Sequence, residues 1–406
     1  MMRASRWCWN LRIALKGDDM NRTAAVFAAW IAVIAMTACG GKDGPAEPAA
    51  YPVKIEAIEG IKTVLNPAFP KEGVVRYAFQ DDLTIGGEGG GAESVLNRPL
   101  FLNVDAQGNI YVLDWGDIDF KVFSPDGRLL RKFGKRGQGP GDFDTPAFFD
   151  LTADGRIVLL SGRQNQIIIL DGMGKYLSSF RVEGFCDGLG VDRHNRIYYS
   201  QMLFPETGAG EEFTLVQNRM ALFKTDELGK VKTPLGEYLD VTMLRKIQKE
   251  MVTSLTSGES YTTSWLVGPD DRVYLGYNKD YVLTVYDPDG KPVFRFGREF
   301  TPIRHPGYKP DGADPEFYPA FSDWRKFFDD KGNLWLEQYV EESVKDHVYD
   351  VFSPEGIYLR QVRVPETVFL VRGDLAYSII RGEDEFLAVK RFMMRRIVEG
   401  GTKAEK

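Results

Sequence analysis

The chain has 406 residues, of which 43% are hydrophobic and 13% aromatic, which is enough to bury a large core. Its formal charge of −7 at pH 7 comes without any run of Lys or Arg, whereas phosphate binding needs clustered positive charge. These features argue against a nucleic-acid partner.

The chain begins with a segment that has the features of a secretory signal peptide, predicted over residues 1–38. From Met20, an alternative start, the segment carries Arg22, is apolar over residues 24–36 and ends in small residues before Cys39. A basic start, a short apolar stretch and small residues before the cleavage site are typical of an export signal. A membrane span needs a longer apolar run.

The end of this segment, MTAC, resembles the lipobox of bacterial lipoproteins. The resemblance implies that cleavage leaves Cys39 as the mature N-terminus and that this cysteine carries lipid, palmitate included. Gly40, rather than Asp, follows the cysteine, which by the same resemblance implies sorting to the outer membrane. The alternative is an ordinary signal peptide, or an N-terminal membrane anchor, with an incidental cysteine.

The mature chain is predicted to contain one folded domain between two flexible ends. Residues 39–52 are rich in Gly, Pro and Ala, a composition that cannot pack a core and is typical of a tether. The domain is predicted over residues 53–397, with a disordered tail over 398–406. The domain keeps a single cysteine, Cys186, which is expected to be a small core residue without a disulfide partner.

A repeating unit organises this domain. In each copy, a segment such as VDAQGNIYVLD (104–114) is followed by one such as KVFSPDGRLLRKFG (121–134). The copies begin near residues 104, 151, 191, 267, 328 and 371. Short β-branched and aromatic runs joined by Asp, Gly and Pro turns are typical of hairpins. Four strands per unit, repeated six times, predict an all-β fold, a six-bladed β-propeller of four-stranded blades.

The last copy lacks an outer strand in the sequence pattern. The N-terminal segment VVRYAFQDDLTIGG (74–87) supplies a candidate. We predict that Leu83–Ile85 pair with the last blade and close the ring, since closure removes exposed strand edges.

The repeats resemble those of a known family. The stretch from GNIYVLD to FKVFSPDGRLLRKFGKRGQGPGDFDTP is similar to NHL-type repeats. With its lipobox, its GxGPGxF linker after the first blade and the motifs GNLW and DVFSPEG in the fifth, the chain resembles six-bladed β-propeller lipoproteins of bacterial envelopes over residues 60–395. NHL repeats often carry Asn-Arg-Ile before the third strand, but this chain has Asp119-Phe120-Lys121 and Asn165-Gln166-Ile167. No role of that arginine is therefore transferred to this chain.

The glycine-rich stretch FGKRGQGPGDF, residues 133–143, is predicted to be a corner of the scaffold rather than a phosphate-binding loop. A Walker A loop needs GxxxxGK followed by Ser or Thr, and a dinucleotide fingerprint needs a glycine where Asp142 stands. The stretch leaves the outer strand of one blade and turns toward the inner strand of the next, a path that uses the positive φ values of glycine.

Three long excursions are predicted to share one face of the propeller. Links between blades, and links between second and third strands, lie on the same face, and residues 202–219, 239–262 and 298–321 fall at such links. Long loops on a rigid scaffold are where binding usually resides, although these loops could also only cap the channel. Five apolar residues at helical spacing predict a helix packed against the rim: Val241, Leu244, Ile247, Met251 and Leu255.

Candidate ligand-contacting residues lie four positions after the aligned hydrophobe of each repeat, near the ends of second strands. With two tryptophans, the candidate set on the insertion-bearing face is Asp114, Gln201, Tyr277, Gln338, Trp265 and Trp324. One carboxylate among neutral groups is a poor site for a hard metal ion, so a turn-capping role is the more usual interpretation of Asp114. The three histidines are not expected to converge on a zinc ion, and the motif GxSxG is absent.

The sequence therefore predicts a lipid-anchored, non-enzymatic binding or scaffold module of the bacterial cell envelope, without a cofactor. Its expected partners are the membrane, through the lipid, and an envelope protein, peptide or glycan, through the insertion-bearing face. The alternative is a metal-dependent propeller enzyme of the lactonase or lyase type, with Ca²⁺ or Zn²⁺ at the centre of the funnel. Propellers host both functions, so the fold alone does not decide.

Overall fold

β-Strands form the regular structure of the described part of this chain. The computed structural model describes residues 51–397, apart from 87–93, 163, 204–213, 249–250, 256–259, 307, 309–314, 342 and 383–385. Within this part of the chain, no helix has the length and apolarity that a membrane span requires. Three strands precede the first repeat: β1 (Lys54–Ile58), β2 (Ile61–Asn66) and β3 (Val74–Gly86).

Six blades follow, and within each blade successive strands pair antiparallel, with the first strand innermost. Blade one contains β4 (Pro99–Val104), β5 (Ile110–Asp114), β6 (Asp119–Phe123) and β7 (Leu129–Phe133). Blade two contains β8 (Pro146–Leu151), β9 (Ile157–Ser161), β10 (Gln166–Leu170) and β11 (Tyr176–Arg181). Blade three contains β12 (Cys186–Val191), β13 (Ile197–Leu203), β14 (Thr214–Thr225) and β15 (Lys232–Gln248), with β16 (Met251–Leu255) added outside.

The second half of the ring has the same plan. Blade four contains β17 (Thr263–Val267), β18 (Val273–Tyr277), β19 (Val282–Tyr286) and β20 (Pro292–Arg298). Blade five contains β21 (Lys326–Phe328), β22 (Leu334–Glu337), β23 (His347–Phe352) and β24 (Tyr358–Val364). Blade six takes three strands from the end of the chain: β25 (Leu370–Arg372), β26 (Leu375–Arg381) and β27 (Leu387–Ile397). The predicted six-bladed, all-β propeller is confirmed.

The fourth strand of blade six is β3, which closes the ring. Leu83, Thr84 and Ile85 pair antiparallel with Arg391, Lys390 and Val389 of β27, as predicted. The first residues of β3 also pair in parallel with β24, so one strand joins blade five to blade six.

The hairpin of β1 and β2 was not anticipated from the sequence. Strand β2 pairs in parallel with β20, which gives blade four six strands. At its end, the Asn66 amide is only 2% exposed and donates to the carbonyl oxygens of Gly297 at 2.9 Å and Gly356 at 2.8 Å. The amide of Tyr358 donates back to Asn66 Oδ1 at 2.9 Å. The N-terminal segment thus joins blade four to blade five.

The predicted helix over residues 241–255 is wrong. This segment belongs to the paired strands β15 and β16, with Leu244 opposite Leu215 of β14 and Ile247 opposite Val252. Strand β14 begins at residue 214, and its first residues offer backbone groups that need hydrogen-bond partners. Pairing between β14 and β15 provides hydrogen-bond partners for the backbone groups of both strands. The spacing of apolar residues within one segment carries no information about such pairing with a distant strand.

Apolar side chains fill the spaces between neighbouring blades. On β5, Tyr111 and Leu113 pack toward blade two, while Ile110 and Val112 pack toward blade six. Because successive side chains of a strand point to opposite faces, both faces of this sheet are buried against a neighbouring blade. The glycine-rich stretch of residues 133–143 runs from β7 to β8, as predicted for a corner, with Gly134 at φ +92° and Phe143 fully buried.

A carboxyl group links the innermost strands of the first three blades. Asp150 on β8 accepts hydrogen bonds from Asn103 Nδ2 of β4 at 3.0 Å and from the amide of Val191 on β12 at 2.9 Å. Burial raises the pKa of Asp150 to about 6, although the hydrogen bonds from Leu151, Val191 and Asn103 oppose that shift.

Shortening Ile85 tests the closure of the ring. Ile85 is 3% exposed in the core between blades six and one, so Ile85→Ala should lower the free energy of unfolding by about 2–5 kcal/mol. The exposed neighbour Thr84 is the control, and Thr84→Ala should change stability by about 0.5 kcal/mol or less. Urea denaturation measures both, and equal effects of the two substitutions would contradict the role of β3 in the core.

The raised pKa of Asp150 predicts a pH dependence. Between the ordinary pKa of aspartate and about 6, the folded protein binds a proton that the unfolded chain does not. This carboxyl therefore favours folding at low pH, and on the order of 1–3 kcal/mol is lost as the pH rises through about 6. Denaturation series from pH 4 to 7 should show a shallower decline for Asp150→Asn, and identical slopes would show that Asp150 does not titrate in this range.

Candidate binding site at the funnel mouth

The funnel mouth is the entrance to the central channel on the face where the blades are linked to one another. Phe148 of β8 and Trp324, which precedes β21, stack there with ring centroids 6.4 Å apart and an interplanar angle of 15°. Phe101 of β4 lies 5.2 Å from Phe148. Blades two and five are opposite each other in a ring of six, so this pair reaches across the channel. Trp324 is 65% exposed, which leaves much of its indole accessible to a ligand.

Two charged side chains lie near the starts of inner strands on this face. Lys326 begins the innermost strand of blade five, and its ammonium donates to the backbone carbonyl of Asp323. Burial lowers the pKa of Lys326, although the charges of Asp323 and Asp187 oppose that shift. Among the described residues, no carboxylate lies within ion-pair distance of this ammonium.

Asp187 lies on the innermost strand of blade three, close enough to Lys326 for the two charges to affect each other. Burial raises the pKa of Asp187, while the Ser200 hydroxyl, which donates to its carboxylate, and the charge of Lys326 lower it. The mouth therefore offers an ammonium and a carboxylate that are partly desolvated but not paired closely with each other. Such groups can hydrogen-bond to a ligand that enters between the aromatic rings.

Asp114 occupies a different environment from that of a ligand-contacting residue. Its fully buried carboxylate accepts hydrogen bonds from the backbone amides of Asn97 and Arg98 at 2.8 Å and of Gly116 at 3.0 Å. Lys121 Nζ, 1% exposed, lies 2.9 Å from Asp114, 2.6 Å from Asp117 and 3.1 Å from Asp119. These carboxylates form the one group with metal-ligand spacing in the described part of the chain, and the ammonium of Lys121 already sits among them.

The remaining candidates are distributed over several places. Trp265 is only 8% exposed and packs between blades three and four, where a Cβ at Gly188 would come within 2.7 Å of its ring. Gln201 is partly buried within β13, and Tyr277, at the end of β18, has its ring centroid 6.3 Å from that of Tyr261. Gln338 follows β22 and contacts side chains between blades four and five. Of the six candidates, Trp324 is the one whose ring belongs to the stacked pair at the mouth.

Among the described residues, the three histidines and Cys186 do not form a common site. His194 lies 3.3 Å from Asp271 and His347 lies 2.8 Å from Glu337, in different blades, while the ring of His305 lies 4.7 Å from that of Tyr318. Cys186 is 4% exposed, and burial raises the pKa of its thiol to about 12, as expected for an unreactive core residue. Cys39, the predicted lipid attachment site, lies outside the described residues.

Sequence reasoning missed Phe148, Asp187 and Lys326. All three lie near the beginnings of innermost strands, but in three different blades, and no local motif connects them. An alignment of the repeats at the first strand of each blade, instead of the second, would have shown that these three residues occupy similar positions.

Comparisons with known proteins agree with this architecture. A family model described as "6-bladed beta-propeller" matches residues 102–254. A crystal structure of a protein from Bacteroides fragilis NCTC 9343, named as exported, superposes with a TM-score of 0.51 at 12% identity, covering 82% of this chain and 98% of its own. A member of the duf4221 family from Bacteroides vulgatus ATCC 8482 superposes with a TM-score of 0.52 at 8% identity, covering 80% and 100%.

Similarity at these identities concerns the fold. A search of curated proteins finds no match to the sequence. From its strand order, its closure and these similarities, the chain is a six-bladed β-propeller.

Proposed function

We propose that this protein is a lipid-anchored, non-enzymatic binding module of the bacterial cell envelope, and that its ligand binds at the funnel mouth. The observation that carries the proposal is the exposed indole of Trp324, stacked on Phe148 beside the charges of Lys326 and Asp187. Accessible aromatic rings with a few polar groups nearby are typical of a binding site.

Export and lipid anchoring are supported by the N-terminal sequence. The MTAC segment resembles a lipobox, and a structure of similar fold comes from a protein named as exported. In this proposal, lipid on Cys39 attaches the propeller to the outer membrane, and residues 39–52 act as a flexible tether. The mouth then remains free to bind an envelope protein, peptide or glycan.

The alternative, a metal-dependent lactonase or lyase, requires several side chains that can bind a metal ion and are not already occupied by other contacts. The carboxylates of Asp114, Asp117 and Asp119 have suitable spacing, but Lys121 supplies a positive charge among them, and backbone amides hold Asp114. Calcium favours several oxygen ligands that carry more negative charge than this cluster retains. The contacts of Lys121 therefore favour a structural role for the cluster.

Metal analysis separates the two functions. Purified without chelator, the protein should contain no stoichiometric Ca²⁺ or Zn²⁺, and EDTA should leave its melting temperature unchanged. A stoichiometric ion whose removal lowers the melting temperature would favour the enzyme instead.

Affinity capture from an envelope extract of the producing bacterium tests the mouth directly. Trp324→Ala should reduce recovery of the captured partner at least tenfold, because the exposed indole supplies much of the apolar contact surface. The control is Val231→Ala, since Val231 is 62% exposed on a turn of the opposite face. Equal recovery with both variants would place binding elsewhere.

Replacing Lys121 tests whether its ammonium neutralises the carboxylate cluster. Lys121→Met leaves three clustered carboxylates, so it should lower the free energy of unfolding by about 3–5 kcal/mol. Millimolar Ca²⁺ should restore part of that loss in this variant and have little effect on the unmodified protein. Lys132→Met is the matched control, because Lys132 contacts Asp119 at 2.8 Å but is 44% exposed. A variant whose stability does not respond to Ca²⁺ would contradict this account.

A further inference from the structure

A cavity of about 190 Å³ lies on the insertion-bearing face between blades four and five. The charged and amide side chains of its lining come from the end of β20, the link after β22 and the last part of β24, namely Arg298, Gln338, Gln361 and Arg363. Described residues of the link after β20 complete this side of the lining: Phe300, Thr301, Ile303 and Tyr318. The volume is several times the roughly 10–15 Å³ that one water molecule requires, so the cavity suits a small molecule or the end of a larger one.

Arg298 enters this cavity with its charge already balanced. Its Nε lies 2.5 Å from Oδ2 of Asp350, which is fully buried, and its guanidinium lies over the rings of Tyr281 and Tyr358 at 4.4 and 5.3 Å. Both tyrosine hydroxyls donate to Asp350 at 2.6 Å. Burial acts to lower the pKa of Arg298, but the charge of Asp350, the two tyrosines and the hydrogen bond to Asp350 together outweigh that effect, so the pKa is raised. Arg298 and Asp350 together contribute no net charge.

Gln338 is fixed by the same network. Its Nε2 donates to Tyr281 Oη at 2.7 Å, and its Oε1 accepts from Arg298 at 3.2 Å. Gln361 Nε2 donates to Asp350 at 3.3 Å. The polar wall is therefore pre-organised, because each of these side chains is held by at least one other.

Arg363 lies in the same cavity without such compensation. Its Nε is buried and has no hydrogen-bond partner, and within the described part of the chain the guanidinium forms no ion pair. Arg298 and Arg363 are the charged residues of the lining, so the cavity carries one net positive charge. A partly buried guanidinium without an anion leaves desolvation uncompensated, and one carboxylate would supply both the charge and the hydrogen bonds.

Apart from Thr301, the rest of the lining is apolar and aromatic. Ile303, Val340 and Val344 contribute aliphatic side chains. Tyr318 and Tyr339 stack with centroids 5.4 Å apart at an interplanar angle of 13°. These surfaces suit a short hydrocarbon or aromatic body.

We propose that this cavity binds a small organic monocarboxylate with a short apolar body. The carboxylate pairs with the guanidinium of Arg363, and the body lies against Ile303, Val340 and Val344. One uncompensated positive charge favours a monoanion over a phosphate dianion, which would bury a second negative charge. The inference goes beyond the proposed function, since it depends neither on the lipid nor on the funnel mouth.

Calorimetric titration of the full chain, purified in detergent, tests this site with hexanoate and benzoate as probes. Each acid should bind at least tenfold more tightly than its uncharged amide, hexanamide or benzamide, and inorganic phosphate should bind more weakly than either acid. Acids and amides of equal affinity, no detectable binding of the acids, or tighter binding of phosphate would each overturn the proposal.

Substitution of Arg363 locates the binding. Arg363→Gln should reduce the affinity for hexanoate at least tenfold and leave that for hexanamide unchanged, because it removes the charge and keeps a polar side chain. Arg360→Gln is the matched control on the same strand, since Arg360 is directed to the other face of β24 and lies 3.6 Å from Glu72. Unchanged affinity in Arg363→Gln would overturn the site. If that variant does not fold, Arg363→Lys, which keeps the charge but loses the planar fork, should bind hexanoate several-fold more weakly.

Discussion

The structure depends on backbone pairing between the two ends of the chain. A propeller made only of successive hairpins would leave one side of its last blade unpaired, and such edges pair with other chains. Here β3 pairs with β27 over most of its length and with β24 at its start. The hairpin of β1 and β2 adds to blade four, and Asn66 bonds to backbone groups beside blades four and five. The N-terminal segment thus runs along the outside of three consecutive blades.

The buried cations of this ring differ in whether a carboxylate pairs with them. Some buried cations are paired with carboxylates, as with Lys121 among Asp114, Asp117 and Asp119, and Arg298 with Asp350. Lys326 at the funnel mouth and Arg363 in the cavity between blades four and five are among the described cations that lack a close carboxylate. Since an uncompensated, partly buried charge costs stability, an anionic group of a ligand bound at either position would recover part of that cost.

Much of the fold could be predicted from the sequence because its determinants are local. The Asp and Gly turns and the period-two strands recur at spacings that only a propeller accommodates, and the missing strand of the last repeat pointed to Leu83–Ile85. The failures depended on distant partners. Residues 241–255 have helical spacing, but the exposed edge of β14 determined their conformation. The pairing of β2 with β20 joins segments more than two hundred residues apart in sequence and left no local signal.

The residues of the candidate site also fall into those that the sequence could predict and those that depend on distant partners. Trp324 could be named from the sequence because large aromatic side chains are expected to line a binding funnel. Trp265 has the same chemistry, but the glycine at position 188 of the neighbouring blade provides space for its ring, so it is buried. Asp187, Lys326 and Phe148 gain their significance only when three blades are placed around one channel.

The position of β3 has a consequence for the order in which the protein is made. Strand β3 leaves the ribosome early, whereas its partner β27 follows much later, with Lys390 lying 309 residues after Asp81. Contacts of such sequence separation form slowly, because a long loop must close before they contribute. Until synthesis of β27 is complete, the early strand has no native partner in blade six. The incomplete ring is therefore the stage at which this protein is most exposed to misassembly.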